Sequence, residues 1–143
     1  PMESAVPEYE NYPNIHLIGA VPAEQIPAYL SLANIGIIPF NVNKYPKLLN
    51  DVNPLKLYEY MAAGLPVITT SQGNEGICAA PSKEIFIADT PETFAELTIE
   101  LITNSGLRKT ISRNAIQFVR NNFGWEQTIK RLEAVYHECL HEI

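Results

Sequence analysis

The strongest constraint on the fold is a change of periodicity, twice, between residues 35 and 70. Ile35-Gly36-Ile37-Ile38-Pro39-Phe40 is almost wholly apolar, and so is Pro66-Val67-Ile68, which runs on through Thr69-Thr70. Runs this short and this apolar suit strands covered on both faces, as in a parallel sheet. Between them, Asn53 to Gly64 reads as a helix. Asn53 is a favoured N-cap, Pro54 a favoured first helical residue, and Gly64 a favoured stop. Parallel strands need a long crossover, usually a helix. A strand–helix–strand unit follows, and with it an α/β architecture.

The same texture extends in both directions. Ile15-His16-Leu17-Ile18, closed by Gly19, is expected as a buried strand, and Pro22 to Ala33 as a helix with Pro27 in its first turn. Glu84 to Ala88 is expected as a further strand, and Gly73-Asn74-Glu75-Gly76 as a turn. From Thr90, a good N-cap, the chain reads as helical: Pro91 to Asn104, then about 107–122 and 125–141 on either side of Phe123-Gly124. Residues 1–13, with their prolines and acidic side chains, read as a tail or linker, leaving 14–143 as one domain. The expected fold is a three-layer, Rossmann-like α/β domain on a parallel sheet, with a helical C-terminal third.

Composition excludes several classes. Ten basic against 16 acidic residues give a net charge of −6, which argues against a dedicated nucleic-acid binder. No apolar run approaches the roughly 20 residues of a membrane-spanning helix, and no signal-peptide pattern opens the chain. Cys78 and Cys139 are too few and too far apart for a disulfide framework or a four-cysteine metal site, so the expected compartment is cytoplasmic. The start at Pro1 is expected of a fragment or processed form. The terminal helices show mixed charge on their exposed faces, too little basic excess to argue membrane binding.

Ligands of open parallel sheets bind outside the carboxyl ends of the strands. The helix beginning at Asn53 starts there, and its first amides, at Leu55, Lys56 and Leu57, have no intrahelical acceptor. Free N–H groups at the positive end of a helix dipole suit a diphosphate. Leu55, Leu57, Tyr58, Met61 and Ala62 form an apolar arc expected to face the sheet, leaving Lys56, Glu59, Tyr60 and Ala63 opposite. Glu59, one turn beyond the proposed phosphate site, is placed to accept hydrogen bonds from ribose hydroxyls. The bland alternative is a Lys56–Glu59 surface ion pair at i,i+3.

The run Asn53-Pro-Leu-Lys-Leu-Tyr-Glu-Tyr-Met-Ala-Ala-Gly-Leu-Pro-Val-Ile-Thr-Thr70 resembles the signature of group 1 retaining glycosyltransferases of the GT-B fold. In that family two Glu residues separated by seven precede a Gly-x-Pro-Val strand. Glu59 takes the second position, and Asp51 takes the first. Asn14 to Gly19, Tyr29 to Phe40, Glu84 to Asp89 and Trp125 to Tyr136 follow the family's order as well. The resemblance implies a nucleotide-diphosphate sugar as donor, with Glu59 on the ribose and the Leu55 and Lys56 amides on the diphosphate. It places Asp51, as the catalytic candidate, and Asn53 near the transferred sugar, and Val21 near the base. It implies retention at the anomeric carbon with neither metal nor other cofactor, and Asp51 and Asp89, the only aspartates, form no Asp-x-Asp motif.

Asp51 in place of Glu, and Val52-Asn53-Pro54 in place of a Gly-rich turn, depart from the family pattern. The family's acceptor domain and the first strand–helix–strand of its nucleotide domain would precede Asn14, so this chain by itself is expected to be inactive. Lys44, Lys47 or Lys56 would then stand in for missing cations, and Glu75 is a minor donor-site candidate. Expected partners are a nucleotide sugar and a sugar or lipid-linked acceptor, with peripheral membrane contact and no nucleic acid. The alternative is a non-catalytic nucleotide-binding α/β module.

His137-Glu138-Cys139-Leu140-His141 matches the His-Glu-x-x-His zinc pattern. Only Glu142 and Ile143 follow, and Glu142 lies about 100° round the helix from His141, poorly placed as a third ligand. No metal site is expected. Trp125 reads as a packing anchor.

Overall fold

The computed structural model describes residues 9, 11–40 and 54–141. A short 3₁₀ turn, Ala23–Gln25, leads into helix α1 (Ile26–Leu32), with Pro27 in its first turn. Strand β1 (Gly36–Ile38), helix α2 (Leu55–Ala62), strand β2 (Val67–Thr69), helix α3 (Ser71–Glu75) and strand β3 (Phe86–Ile87) follow. Helices α4 (Pro91–Thr103), α5 (Ser105–Phe123) and α6 (Trp125–His141) complete the chain. The sheet is parallel, in the order β1-β2-β3, with Gly36 opposite Val67 and Ile68 opposite Phe86.

Alternation along the strands divides the core in two. Val67 and Ile85 point to one face, where they meet Leu57, Met61, Ile77, Ala79, Ala115 and Val119. Ile68 and Phe86 point to the other, with Ala88, Leu101 and Ile111, flanked by Phe94, Leu97 and Leu107. Helix α2 thus covers one face and α4 the other, the expected three layers. Helix α5 serves both: Ile111 joins the α4 side, Ala115 and Val119 the α2 side.

Local chemistry sets the ends of these elements. Pro54 is the N-cap of α2 rather than its first helical residue, in extended conformation (φ −71°, ψ 104°). At the other end Gly64 takes φ +80°, which lets the Leu65 N–H reach the Tyr60 carbonyl and the Gly64 N–H reach that of Met61. That double closure satisfies two of the helix's last acceptors, and only glycine adopts the backbone without strain. Thr90 and Thr93 form a reciprocal capping box on α4. Asn104 caps α5 through the Leu107 N–H, so α5 begins two residues earlier than its periodicity suggested.

Three expectations are corrected. Residues 15–18 form no strand, and Ile15, Leu17 and Ile18 are exposed. An apolar run becomes a strand only where a neighbouring edge takes its backbone groups; the described residues pair β1 with β2 alone and give this run no edge. Residues 73–76 are not a simple turn but the end of α3, because Thr70 Oγ1 accepts the Gly73 N–H and caps a helix. Finally, the apolar arc of α2 centres on Leu57 and Met61, both fully buried, with Tyr60 packed over Gly36. Leu55 is 74 % exposed and Ala62 is also exposed. The i, i+3, i+4, i+7 line through 57, 60, 61 and 64 wins, since Gly36 has no side chain and leaves room for the Tyr60 ring.

Candidate functional site

The crossover between parallel β1 and β2 makes α2 run back against the strands, so its first residue lies at the carboxyl edge of the sheet. With Pro54 as the cap, the Leu57 N–H donates to the Pro54 carbonyl at 2.9 Å. That amide is no longer available to a ligand. The Leu55 and Lys56 amides have no acceptor among the described residues. The anion site expected at this helix start would thus have two backbone donors rather than three.

Lys56 and Glu59 are both exposed on α2. The ion pair that would have made them ordinary surface charges is not formed; among the described residues the salt bridge is Lys83–Glu84, at 3.6 Å. Among the described residues, Glu59 is therefore an unengaged carboxylate one turn beyond two unengaged amides. Asp51 and Asn53, with Lys44 and Lys47, lie outside the described residues. Val21 is half-buried in the segment before the 3₁₀ turn and belongs to neither apolar cluster. Glu75 is exposed at the end of α3, its carbonyl accepting the Cys78 thiol.

At the same edge, on the α4 side, a groove of about 980 Å³ is lined by Ile37, Phe40, Thr70, Asp89, Phe94 and Thr98 among others. None of Leu55, Lys56 and Glu59 lines it. The carboxyl edge thus offers two distinct surfaces, a polar one at the start of α2 and a mainly apolar one against α4.

Asp89, just after β3, joins the ends of two strands. Its Oδ1 accepts the Ser71 N–H at 2.8 Å and its Oδ2 the Ser71 hydroxyl at 2.6 Å. Those two bonds, the hydroxyl's first, hold the Asp89 carboxyl below its usual range, against a small opposing effect of burial. Thr69 Oγ1 donates across to the Ile38 carbonyl at 3.0 Å, tying β2 to β1. Gln72 Oε1 is buried with no partner among the described residues. Sequence reasoning noted Asp89 only as part of a pattern; its place at the end of the last strand was the available signal. No group of three or more metal-binding side chains occurs among the described residues.

Comparison with other proteins agrees with this fold. The family profile described as "Glycosyl transferase-like" matches residues 3–134. "Spore coat protein SA" of Bacillus subtilis is 31 % identical over 84 residues, 57 % of this chain and 22 % of that protein. "Uncharacterized glycosyltransferase MJ1178" of Methanocaldococcus jannaschii is 25 % identical over 130 residues, 90 % of this chain and 34 % of that one. The crystal structure of the C-terminal domain of a glycosyl transferase group 1 family protein (LpcC) from Francisella tularensis superposes with a TM-score of 0.64 at 20 % identity, covering 76 % of this chain and 53 % of that one. The chain spans between about a fifth and a third of the length of the two relatives from Bacillus and Methanocaldococcus.

Proposed function

From the premise that the chain belongs to the glycosyl transferase-like family, we propose that it is the donor-binding part of a glycosyltransferase that takes a nucleotide-diphosphate sugar. The observation that carries this reading is the conjunction at α2 of two amides with no acceptor among the described residues and, one turn on, a carboxylate with no cation among them. A diphosphate fits the amides, because the helix dipole adds to two aligned N–H donors. A ribose fits Glu59, because a carboxylate accepts from two hydroxyls at once and such charge-assisted bonds are the strong ones.

In this reading Asp51 and Asn53 approach the transferred sugar, Val21 the base, and the reaction retains configuration without a metal. The departing diphosphate carries the developing negative charge, and the Leu55 and Lys56 amides, with the Lys56 ammonium, stabilise it where it forms. The acceptor is a sugar or a lipid-linked sugar held by another part of the protein.

Glu59→Ala is expected to weaken UDP or GDP binding about 10- to 100-fold, the loss of one or two hydrogen bonds to a charged group. Calorimetry on a form of the protein whose wild type binds nucleotide measures this. Glu59 is exposed, so the fold should be unaffected. An unchanged affinity removes Glu59 from the role and the reading with it.

A further inference from the structure

We propose that this chain pairs with a second copy of itself through α4 and α5, the acidic row of α4 in each copy meeting the cationic row of α5 in the other. The interface is independent of how the nucleotide site is read. Charge is segregated along this stretch of sequence. From Glu84 to Leu107 there is no Lys or Arg, and from Leu101 to Trp125 there is no Asp or Glu. Helix α4 therefore carries Glu92, Glu96 and Glu100 and no cation, while α5 carries Arg108, Lys109, Arg113 and Arg120 and no anion.

Stability of the single chain does not account for the arrangement. Glu92, Glu96 and Glu100 are like charges at successive i,i+4 spacings, and so are Lys109 and Arg113; such pairs weaken a helix. Glu100 also stands in the last turn of α4, where the dipole disfavours an anion. The two helices share one apolar cluster through Leu101 and Ile111, yet among the described residues no Glu of α4 forms an ion pair with a cation of α5. Arg108 instead donates to the Leu101 and Ile102 carbonyls at the end of α4. The other six charged side chains are exposed.

Helical position gathers each set into a row. At 100° per residue the three Glu fall within an arc of about 80° over about 12 Å of α4, and Lys109, Arg113 and Arg120 within about 40° over about 16 Å of α5. Each row lies on the side of its helix away from the buried residues, which are Leu101 on α4 and Ile111, Ala115 and Val119 on α5. Ile99, 62 % exposed, stands about 20° from Glu92 round α4 and adds apolar area beside the charges. A partner of one sign, acidic or basic, answers one row and leaves the other without a counter-charge. A second copy answers both, because a two-fold axis that lays α4 on α5 of the other copy also lays α5 on its α4. Opposite rows then fix the register, as charge complementarity does at other interfaces.

The test is sedimentation equilibrium of the chain. Wild type is expected as a reversible dimer at about 0.1 M salt and as a monomer at about 1 M, where the screening length falls from about 10 Å to about 3 Å. The variants E92K/E96K/E100K and K109E/R113E/R120E each carry one sign on both rows, and each should self-associate at least about 100-fold more weakly. An equal mixture of the two should regain an affinity within about tenfold of wild type, because every row again meets its opposite. Circular dichroism checks the fold. Where a triple variant is altered, the single variants E96K and R113E decide, each weakening association about fivefold. A wild type still monomeric at about 1 mM overturns the proposal. So does association that high salt or charge reversal leaves unchanged, which would point to an apolar contact such as the α6 stripe. Folded variants that fail to associate when mixed overturn it as well.

Discussion

Helices α5 and α6 are consecutive, 19 and 17 residues long, and both amphipathic in sequence, but among the described residues only one has a partner for its apolar face. Helix α5 buries Ile111, Ala115 and Val119, and Ser112 Oγ donates to the Gly64 carbonyl at 2.6 Å. On α6, Trp125, Ile129, Leu132, Tyr136 and Leu140 lie along one stripe and all are at least half exposed. Trp125, expected as a packing anchor, is thus uncovered among the described residues. An apolar stripe specifies a helix and the side it will bury, while its neighbours decide whether burial happens.

The comparison breaks if the two helices respond alike to truncation of an apolar side chain. Ile111→Ala should cost about 2–5 kcal/mol in chemical denaturation, the transfer loss plus a cavity in the α4-side cluster. Leu132→Ala on α6 should stay within about 0.5 kcal/mol, as an exposed site does. A comparable loss at Leu132 would mean that α6 is covered in solution.

A smaller effect probes how α5 is seated. Gly64→Ala forces a φ of +80° on a side-chain-bearing residue and puts its Cβ 3.0 Å from Ile116 Cδ1 of α5. The expected cost is about 1–2 kcal/mol, mostly backbone, read as a lower denaturation midpoint. A neutral result would show that α2 and α5 can separate cheaply.

The smallest effect is acid-dependent and also belongs to the covered half. The pKa of Asp89 is depressed in the folded chain by Ser71, so folding favours the ionised form. Its contribution is present above the unfolded value of about 3.9 and is lost as pH falls through the folded value. Asp89→Asn should therefore lose stability at neutral pH and flatten the decline below about pH 4 in a melting-temperature profile. An unaltered acid limb would show that the Ser71–Asp89 bridge adds nothing to stability.

Much of this was legible in the residues. The crossover unit from Ile35 to Thr70, the cap at Thr90 and the break at Gly124 follow from local rules, and all appear within one or two residues of their expected places. What local rules missed was set by neighbours. Ile15 to Ile18 has the composition of a strand but no paired edge, and Tyr60 faces inward only because Gly36, distant in sequence, leaves space. At the candidate site the Pro54-Leu55-Lys56-Glu59 frame was readable from capping and helical spacing. The use of the Leu57 amide by Pro54 was not, since it depends on which residue takes the cap. The Ser71–Asp89 bridge escaped because it joins the ends of two separate strands.

Helix α5 has a consequence for the order of events during synthesis. Each sheet face needs a side chain from α5, Ile111 on one and Ala115 and Val119 on the other. A nascent chain emerging N-terminus first cannot complete the α4-side half of its interior until Ile111, nor the α2-side half until Val119, has cleared the ribosome. Until then the faces of the sheet are only partly covered, by α2 and α4, and the interval between making Phe86 and making Val119 is when this protein most needs a chaperone.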